Sequence, residues 1–160
     1  MKILIVGASG FIGSYLVEQL SKEHQVAAIY KIGINIFDSE AVKDLLEKTK
    51  PDFVINCLSF GGNADVNNRS SDDVAKNFSS FYSFYSNRNL FKYYINIGSG
   101  IESTSEDSAY AFSKRLISNQ IFNNSKFFNL ILYGCFGKHE KETRLLKRFI
   151  NSKDTFSIKD

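Results

Sequence analysis

The 160-residue sequence has few of the residues that mark membrane-spanning or disulfide-stabilised proteins. It contains one proline, two cysteines and no tryptophan. Its uninterrupted apolar runs are much shorter than the roughly 20 residues that cross a bilayer, and no signal-peptide pattern precedes the first predicted strand. We therefore predict a cytoplasmic protein without a membrane partner.

The two cysteines, Cys57 and Cys135, lie at the ends of apolar segments predicted to be strands. Their spacing does not match any metal-binding pattern, so no metal site is predicted. We interpret both side chains as reduced thiols, and a disulfide between them is the alternative.

Charge and composition indicate an ordinary globular domain. The net charge of +3 is small and scattered, which argues against a nucleic-acid partner. Hydrophobic residues make up 43% and charged residues 23% of the chain, and its length suits one domain. With 15 phenylalanines and 8 tyrosines, we expect a core rich in aromatic rings.

Strand and helix patterns alternate along the chain, which predicts a parallel sheet with helices on both faces. The predicted strands cover residues 2–6, 25–30, 32–37, 52–57, 94–97 and 127–132. Helices are predicted from Ile12 to Leu20 and over 39–48, 70–89, 107–124 and 142–151. This is the α/β pattern of a doubly wound, Rossmann-type sheet of order 3-2-1-4-5-6, with a ligand crevice at the carboxyl ends of the strands.

Three glycines, Gly7, Gly10 and Gly13, separate the first predicted strand from the first helix. In this context Gly7 permits a sharp turn, Gly10 lets backbone amides approach a pyrophosphate, and Gly13 lets the helix lie close to the sheet. The helix N-terminus offers N–H groups and partial positive charge to the phosphates. The motif predicts a dinucleotide site, and a glycine-rich turn without a ligand is the alternative.

The end of the second predicted strand bears on the choice of dinucleotide. NAD sites usually carry an acidic residue there, which accepts a hydrogen bond from the ribose 2′-hydroxyl. This chain has Tyr30 and Lys31 instead. Lys31 would attract a 2′-phosphate, so NADP(H) is favoured over NAD(H); the alternative is an exposed lysine on a turn.

Tyr110 and Lys114 have i, i+4 spacing and lie one above the other on a helix. A nearby ammonium favours the phenolate, so the pair could exchange a proton with a carbonyl or an alcohol near neutral pH. Such pairs are common on solvated helices. This one follows a serine-bearing strand end in a predicted dinucleotide-binding sheet, and we therefore interpret it as catalytic.

These motifs together resemble the extended short-chain dehydrogenase/reductase family, in particular its nucleotide-sugar epimerases, dehydratases and reductases. The segments that carry the resemblance are 7–13, 56–59, 97–100, 110–114 and 132–138. The resemblance implies an NAD(P)-dependent oxidoreductase or epimerase that acts on a nucleotide-activated sugar, with the whole of 1–160 forming its Rossmann domain.

The resemblance also implies roles for individual residues. Tyr110 would be the catalytic acid/base, Ser99 would bind the substrate oxygen, and Lys114 would hold the nicotinamide ribose and favour the phenolate. The residues expected to bind the dinucleotide are Gly7, Ser9, Gly10, Phe11, Ile12, Gly13, Tyr30, Lys31, Asn35, Ile36, Cys57, Leu58, Ser59 and Lys114. His139 does not match a family histidine, and we interpret it as a surface residue rather than a second acid.

Two departures from the family pattern keep another function open. Ten residues separate Ser99 from Tyr110, a shorter loop than the family usually has. From the resemblance we also expect most of the C-terminal substrate lobe to be absent or truncated. A dinucleotide-binding sensor or scaffold without turnover is therefore the alternative function. The family's dimers pair the helices that correspond to 70–89 and 107–124, which predicts a homodimer; the alternative is that Phe81, Tyr82 and Tyr85 pack on the sheet.

Overall fold

The computed structural model describes residues 1–30, 33–61, 71–104, 108–140 and 145–151. In these ranges five strands form one parallel sheet with the order β2-β1-β3-β4-β5. The strands are β1 (Lys2–Val6), β2 (Gln25–Ile29), β3 (Phe53–Asn56), β4 (Tyr93–Ser99) and β5 (Phe127–Leu132). The prediction of a Rossmann-type α/β fold is confirmed.

Helices alternate with the strands. They are α1 (Phe11–Leu20), α2 (Ser39–Thr49), α3 (Ser71–Ser86), α4 (Ala109–Phe122) and α5 (Leu145–Asn151). A short 3-10 turn, Gly100–Ser103, follows β4 directly. Within the described part of the chain, no helix is long and apolar enough to span a bilayer.

The sheet is covered on both faces because its central strands are apolar on both sides. In β1, Ile3 and Ile5 pack towards α1 together with Ile55 of β3. Leu4 and Val6 point to the other face. That second face packs against buried side chains of α2, α3 and α4: Val42, Leu46, Phe81, Phe84, Ile117 and Ile121.

The second face holds the predicted aromatic core. The ring centroid of Phe81 lies 5.8 Å from that of Tyr94 and 6.1 Å from that of Phe127, with both pairs near edge-to-face. Tyr94 is fully buried, and burial raises the pKa of its phenol. Its hydroxyl lies near Asn56 but has no well-formed hydrogen bond.

The third predicted strand, 32–37, is wrong over its described part, residues 33–37. Asn35 folds the chain into a turn: its side chain accepts the Phe37 N–H at 3.2 Å, and its carbonyl accepts the Asp38 N–H at 3.1 Å. Ile36 is buried under α3, where Ser83 Oγ donates to its carbonyl at 2.6 Å. Ile36 and the partly buried Ile34 thus pack against the core from a turn, and β2 is an edge strand of the described sheet.

Candidate functional site

The loop between β1 and α1 turns sharply at Gly7, whose φ is +80°. The N–H groups of Gly7 and Ala8 both donate to the carbonyl of Ile29 in β2, at 3.2 and 3.0 Å. The Gly10 N–H donates to the Gly7 carbonyl at 3.0 Å and closes the turn. The predicted role of Gly7 matches this geometry, since a positive φ favours glycine.

Residues 7–13, which include the first turn of α1, are called the glycine loop below. Two of its glycines lack the space for a side chain. A Cβ on Gly13 would lie 2.2 Å from the Gly7 carbonyl oxygen, so α1 can lie this close to the loop only with glycine there. A Cβ on Gly7 would lie 2.9 Å from the backbone nitrogen of Leu58. The glycine loop is therefore packed directly against the segment that follows β3, which contains Cys57, Leu58 and Ser59.

The N-terminus of α1 has the geometry of a phosphate-binding helix end. Gly10 is the N-cap residue, and no side chain caps the helix. Ser9 and Gly10 are exposed, and Phe11 and Ile12 begin the helix half-buried. Because no side chain caps the helix or projects from the glycines before it, the backbone N–H groups there can bind anionic oxygens. This helix start therefore fits a pyrophosphate.

The segment after β2 contains four of the predicted dinucleotide contacts. Tyr30 is 56% exposed, whereas Lys31 lies outside the described residues. Asn35 is exposed and uses its side chain in the turn described above. Ile36 is only 8% exposed. The contacts of all four with a dinucleotide stay predictions.

The segment after β3 is held by two asparagines. Asn56 Oδ1 accepts the Leu58 N–H at 3.1 Å. Asn77 of α3, which is 3% exposed, accepts the Phe60 N–H and donates to the Phe60 carbonyl, both at 2.9 Å. Asn77 Nδ2 also lies 3.1 Å from Ser113 Oγ in α4. We did not predict Asn77, because its contact with Phe60 joins distant parts of the sequence.

Cys57, at the start of that segment, is a free thiol beside Lys114. Burial raises the pKa of the Cys57 thiol to about 12, and the positive charge of Lys114 opposes the shift only in part. The thiol therefore stays protonated near neutral pH, and the contact of Cys57 with a dinucleotide stays a prediction. Cys135 is also a free thiol in the structure.

Ser99 is the last residue of β4 and caps the 3-10 turn that follows it. Its Oγ accepts the Ile101 N–H over a long 3.5 Å. Its own N–H donates to Glu102 Oε1 at 2.7 Å, which completes a capping box. Glu102 was not among the predicted site residues, although the S-x-x-E spacing would have been a signal for it.

Lys114 connects α4 to the carboxyl end of β4. It is 3% exposed, and its Nζ donates to the Ile97 carbonyl at 3.0 Å. The same Nζ lies 5.8 Å from the ring centroid of Tyr110. Ile97 is close in sequence to Ser99, so Lys114 lies beside the Tyr110 ring and is bonded to the strand that ends at Ser99. This arrangement could hold a reacting oxygen and exchange a proton with it.

The aromatic residues of α3 and α4 divide between the core and the surface. Phe81 is buried and Tyr85 is half-buried against the core, whereas Tyr82 is 54% exposed. On α4, Phe112 is 52% exposed. The packing alternative therefore accounts for Phe81 and Tyr85, and Tyr82 remains an exposed aromatic side chain.

His139 contacts a side chain of α1. Its Nε2 is 2.8 Å from Glu18 Oε2 on α1, and Lys138 Nζ is 3.6 Å from the other oxygen. Over the described ranges, no group of three or more His, Cys, Asp or Glu side chains could hold a metal ion.

Known proteins resemble this chain in sequence over its first half and in fold over most of its length. Residues 1–79 match the family model described as the RmlD substrate binding domain. A GDP-6-deoxy-D-talose 4-dehydrogenase from Aggregatibacter actinomycetemcomitans is 37% identical over 59 residues, which are 35% of this chain and 20% of that protein.

Solved structures extend the similarity of the fold beyond the first half. A hypothetical dTDP-4-dehydrorhamnose reductase from Sulfolobus tokodaii superposes with a TM-score of 0.72 at 20% identity, over 85% of this chain and 57% of that one. A GDP-L-fucose synthetase from Naegleria fowleri bound to NADP gives 0.69 at 20% identity, over 89% and 56%. The chain thus spans little more than half of these structures and a fifth of the curated relative.

Proposed function

We propose that this chain binds NADP(H), with NAD(H) as a weaker alternative, in the crevice between the glycine loop and the carboxyl end of β4. The observation that carries the proposal is the bare loop at Gly7 and Gly13, where added Cβ atoms would meet backbone at 2.9 and 2.2 Å. That loop leads into the uncapped start of α1, which suits a pyrophosphate. The Naegleria relative bound to NADP supports the same choice of cofactor.

We further propose that the bound cofactor serves an oxidoreductase or epimerase acting on a nucleotide-activated sugar. When bound, a nicotinamide supplies or accepts the hydride. Tyr110 would give or take the proton at the reacting sugar oxygen. Ser99 would donate a hydrogen bond to that oxygen, and Lys114 would hold positive charge beside the phenol. The names of the related proteins, which refer to GDP- and dTDP-linked sugars, support this substrate class.

A second candidate function is a dinucleotide-binding sensor or scaffold without turnover. It is favoured by the short connection between Ser99 and Tyr110, which are separated by ten residues. A homodimer through α3 and α4 fits either function, since Tyr82 and Phe112 expose aromatic rings on these helices. The free thiols Cys57 and Cys135 suit the reducing cytoplasm, where we place the protein.

The test combines cofactor binding with turnover. NADPH and NADH are titrated by fluorescence against wild type and Lys31→Asp, and reduction of a panel of 4-keto nucleotide sugars is then assayed. We expect NADPH to bind at least as well as NADH, and Lys31→Asp to reverse any preference. Tyr110→Phe should lower turnover roughly a hundredfold and leave cofactor affinity unchanged, because it removes only the proton donor.

Tyr15→Phe is the matched control, since Tyr15 is 51% exposed on α1. Turnover that persists undiminished in Tyr110→Phe would contradict the mechanism. Binding of NADPH without turnover on any sugar would favour the sensor or scaffold. Absence of binding to either dinucleotide would overturn both functions.

A further inference from the structure

A carboxylate lies behind the strand end that carries Ser99. Both oxygens of Glu102 are used: Oε1 accepts the backbone N–H of Ser99 at 2.7 Å, and Oε2 accepts Asn129 Nδ2 at 2.8 Å. A charged acceptor makes both bonds stronger than neutral ones. Glu102 therefore ties the end of β4 to a side chain of β5.

Asn129 extends this connection into the protein. Its Oδ1 accepts Asn96 Nδ2 at 2.8 Å, and its Nδ2 also lies 3.1 Å from Ser118 Oγ in α4. Asn96 is 1% exposed in the middle of β4. The carboxylate of Glu102 thus stands at the outer end of a polar chain that is anchored in the sheet.

Gly98 supplies the space for this arrangement. A Cβ at that position would lie 2.6 Å from Glu102 Oε1 and 2.7 Å from Asn129 Oδ1. Since φ at Gly98 is not in the positive range, the glycine is required here for space rather than for backbone conformation. At Gly98, strand β4 has no side chain, and the Glu102 carboxylate occupies the space where one would lie.

We propose that Glu102 is a positioning residue that sets the location of Ser99 at the candidate site. Its bond to the Ser99 N–H fixes the backbone where β4 ends. The Ser99 Oγ accepts from the Ile101 N–H within the same turn at 3.5 Å, and this contact does not use its hydroxyl proton. The role in turnover rests on the proposed function, whereas the fixed position of Ser99 is a property of the free protein.

The first test therefore needs no ligand. In amide hydrogen exchange of the full chain, followed by NMR, the Ser99 N–H should exchange slowly because Glu102 accepts its hydrogen bond. Exchange at Ser99 should become faster in Glu102→Ala and stay slow in Ser103→Ala, an exposed neighbour in the same turn. A Ser99 amide that exchanges equally fast in wild type and Glu102→Ala would overturn the proposal.

A swapped pair separates positioning from general stability. In Glu102→Gln, the new NH2 group faces the Asn129 NH2 group, so two donors meet. In Asn129→Asp, the new carboxylate faces the carboxylate of Glu102, so two acceptors of like charge meet. Each single change should therefore displace Ser99. The double variant Glu102→Gln/Asn129→Asp restores one donor and one acceptor, and its new carboxylate can still accept from Asn96. We expect the Ser99 amide resonance of the double variant to return close to its wild-type position; its failure to return would contradict the network.

Turnover supplies the second readout. Glu102→Ala should lower kcat roughly ten- to hundredfold through misplacement of Ser99, with NADPH affinity within about twofold of wild type. An unchanged kcat would overturn the positioning role. If wild type neither binds NADPH nor turns over, the proposed function fails, and amide exchange and the swapped pair still decide the position of Ser99.

Discussion

The glycine loop before α1 and the carboxyl ends of β3 and β4 are held in place by different means. The loop is held by the absence of side chains, since a Cβ at Gly7 or Gly13 would meet backbone atoms at 2.9 or 2.2 Å. The strand ends are held by polar side chains brought from elsewhere: Asn77 binds Phe60, and Glu102 binds Ser99.

This difference has a consequence for how each region fails. Excess volume in the glycine loop must displace backbone, because the atoms it meets are backbone atoms of the turn after β1 and of the segment after β3. Loss of a polar side chain at the strand ends leaves buried donors and acceptors without partners, which costs less and acts on a single segment. The first two of the three predictions below test this contrast, and the third concerns a surface contact.

The largest effect is expected for Gly13→Ala. Its methyl group would overlap the Gly7 carbonyl oxygen, so α1 must move away from the loop. We expect a loss of about 3 kcal/mol in the free energy of unfolding, measured by urea denaturation. Gly134→Ala is the control, because a Cβ there meets nothing within 4 Å, and it should stay within about 0.5 kcal/mol of wild type. Equal urea midpoints for Gly13→Ala and Gly134→Ala would contradict the close packing of the glycine loop.

Asn77→Ala should have an intermediate effect. It removes both hydrogen bonds to Phe60 and the contact with Ser113 Oγ, and it leaves those partners in a largely buried setting. We expect a loss of about 2 kcal/mol, together with faster amide exchange at Phe60. Ser79→Ala, a less buried position on the same helix, is the control. Unchanged exchange at Phe60 would show that the segment after β3 is held by other contacts.

The smallest effect concerns the link between α1 and the segment after β5. Hydrogen bonding to His139, assisted by the charge of Lys138, holds the pKa of Glu18 below its ordinary value of 4.5. The pKa of Glu18 is lower in the folded state than in the unfolded state. The contact therefore stabilises the fold at pH values above the unfolded-state pKa, and this stabilisation is lost as the pH falls through the folded-state pKa.

In His139→Ala, the pKa of Glu18 should therefore rise towards 4.5, measured by carboxyl NMR titration. His24→Ala, which changes the other histidine of the chain, is the control and should not alter the pKa of Glu18. A pKa of Glu18 that stays equally low in His139→Ala would assign the shift to Lys138 alone.

The sequence predicted the parts of the fold that depend on local pattern. The run from Ile3 to Val6 and the following glycines identified β1, its turn and α1, because each residue's role is set by its neighbours in sequence. The same reasoning misassigned 32–37, whose described residues form a turn. Alternating isoleucines indicate a strand, but the side chain of Asn35 and the burial of Ile36 under α3 decided otherwise.

By itself the sequence determined the Rossmann-type sheet, the glycine loop and the i, i+4 placement of Tyr110 and Lys114. These follow from hydrophobic periodicity and from the conformational freedom of glycine, which act over a few residues. Only the tertiary structure decided that Lys114 donates to the Ile97 carbonyl and that Glu102 reaches both Ser99 and Asn129. Those bonds join side chains from different strands and helices, and their geometry exists only once the sheet has formed.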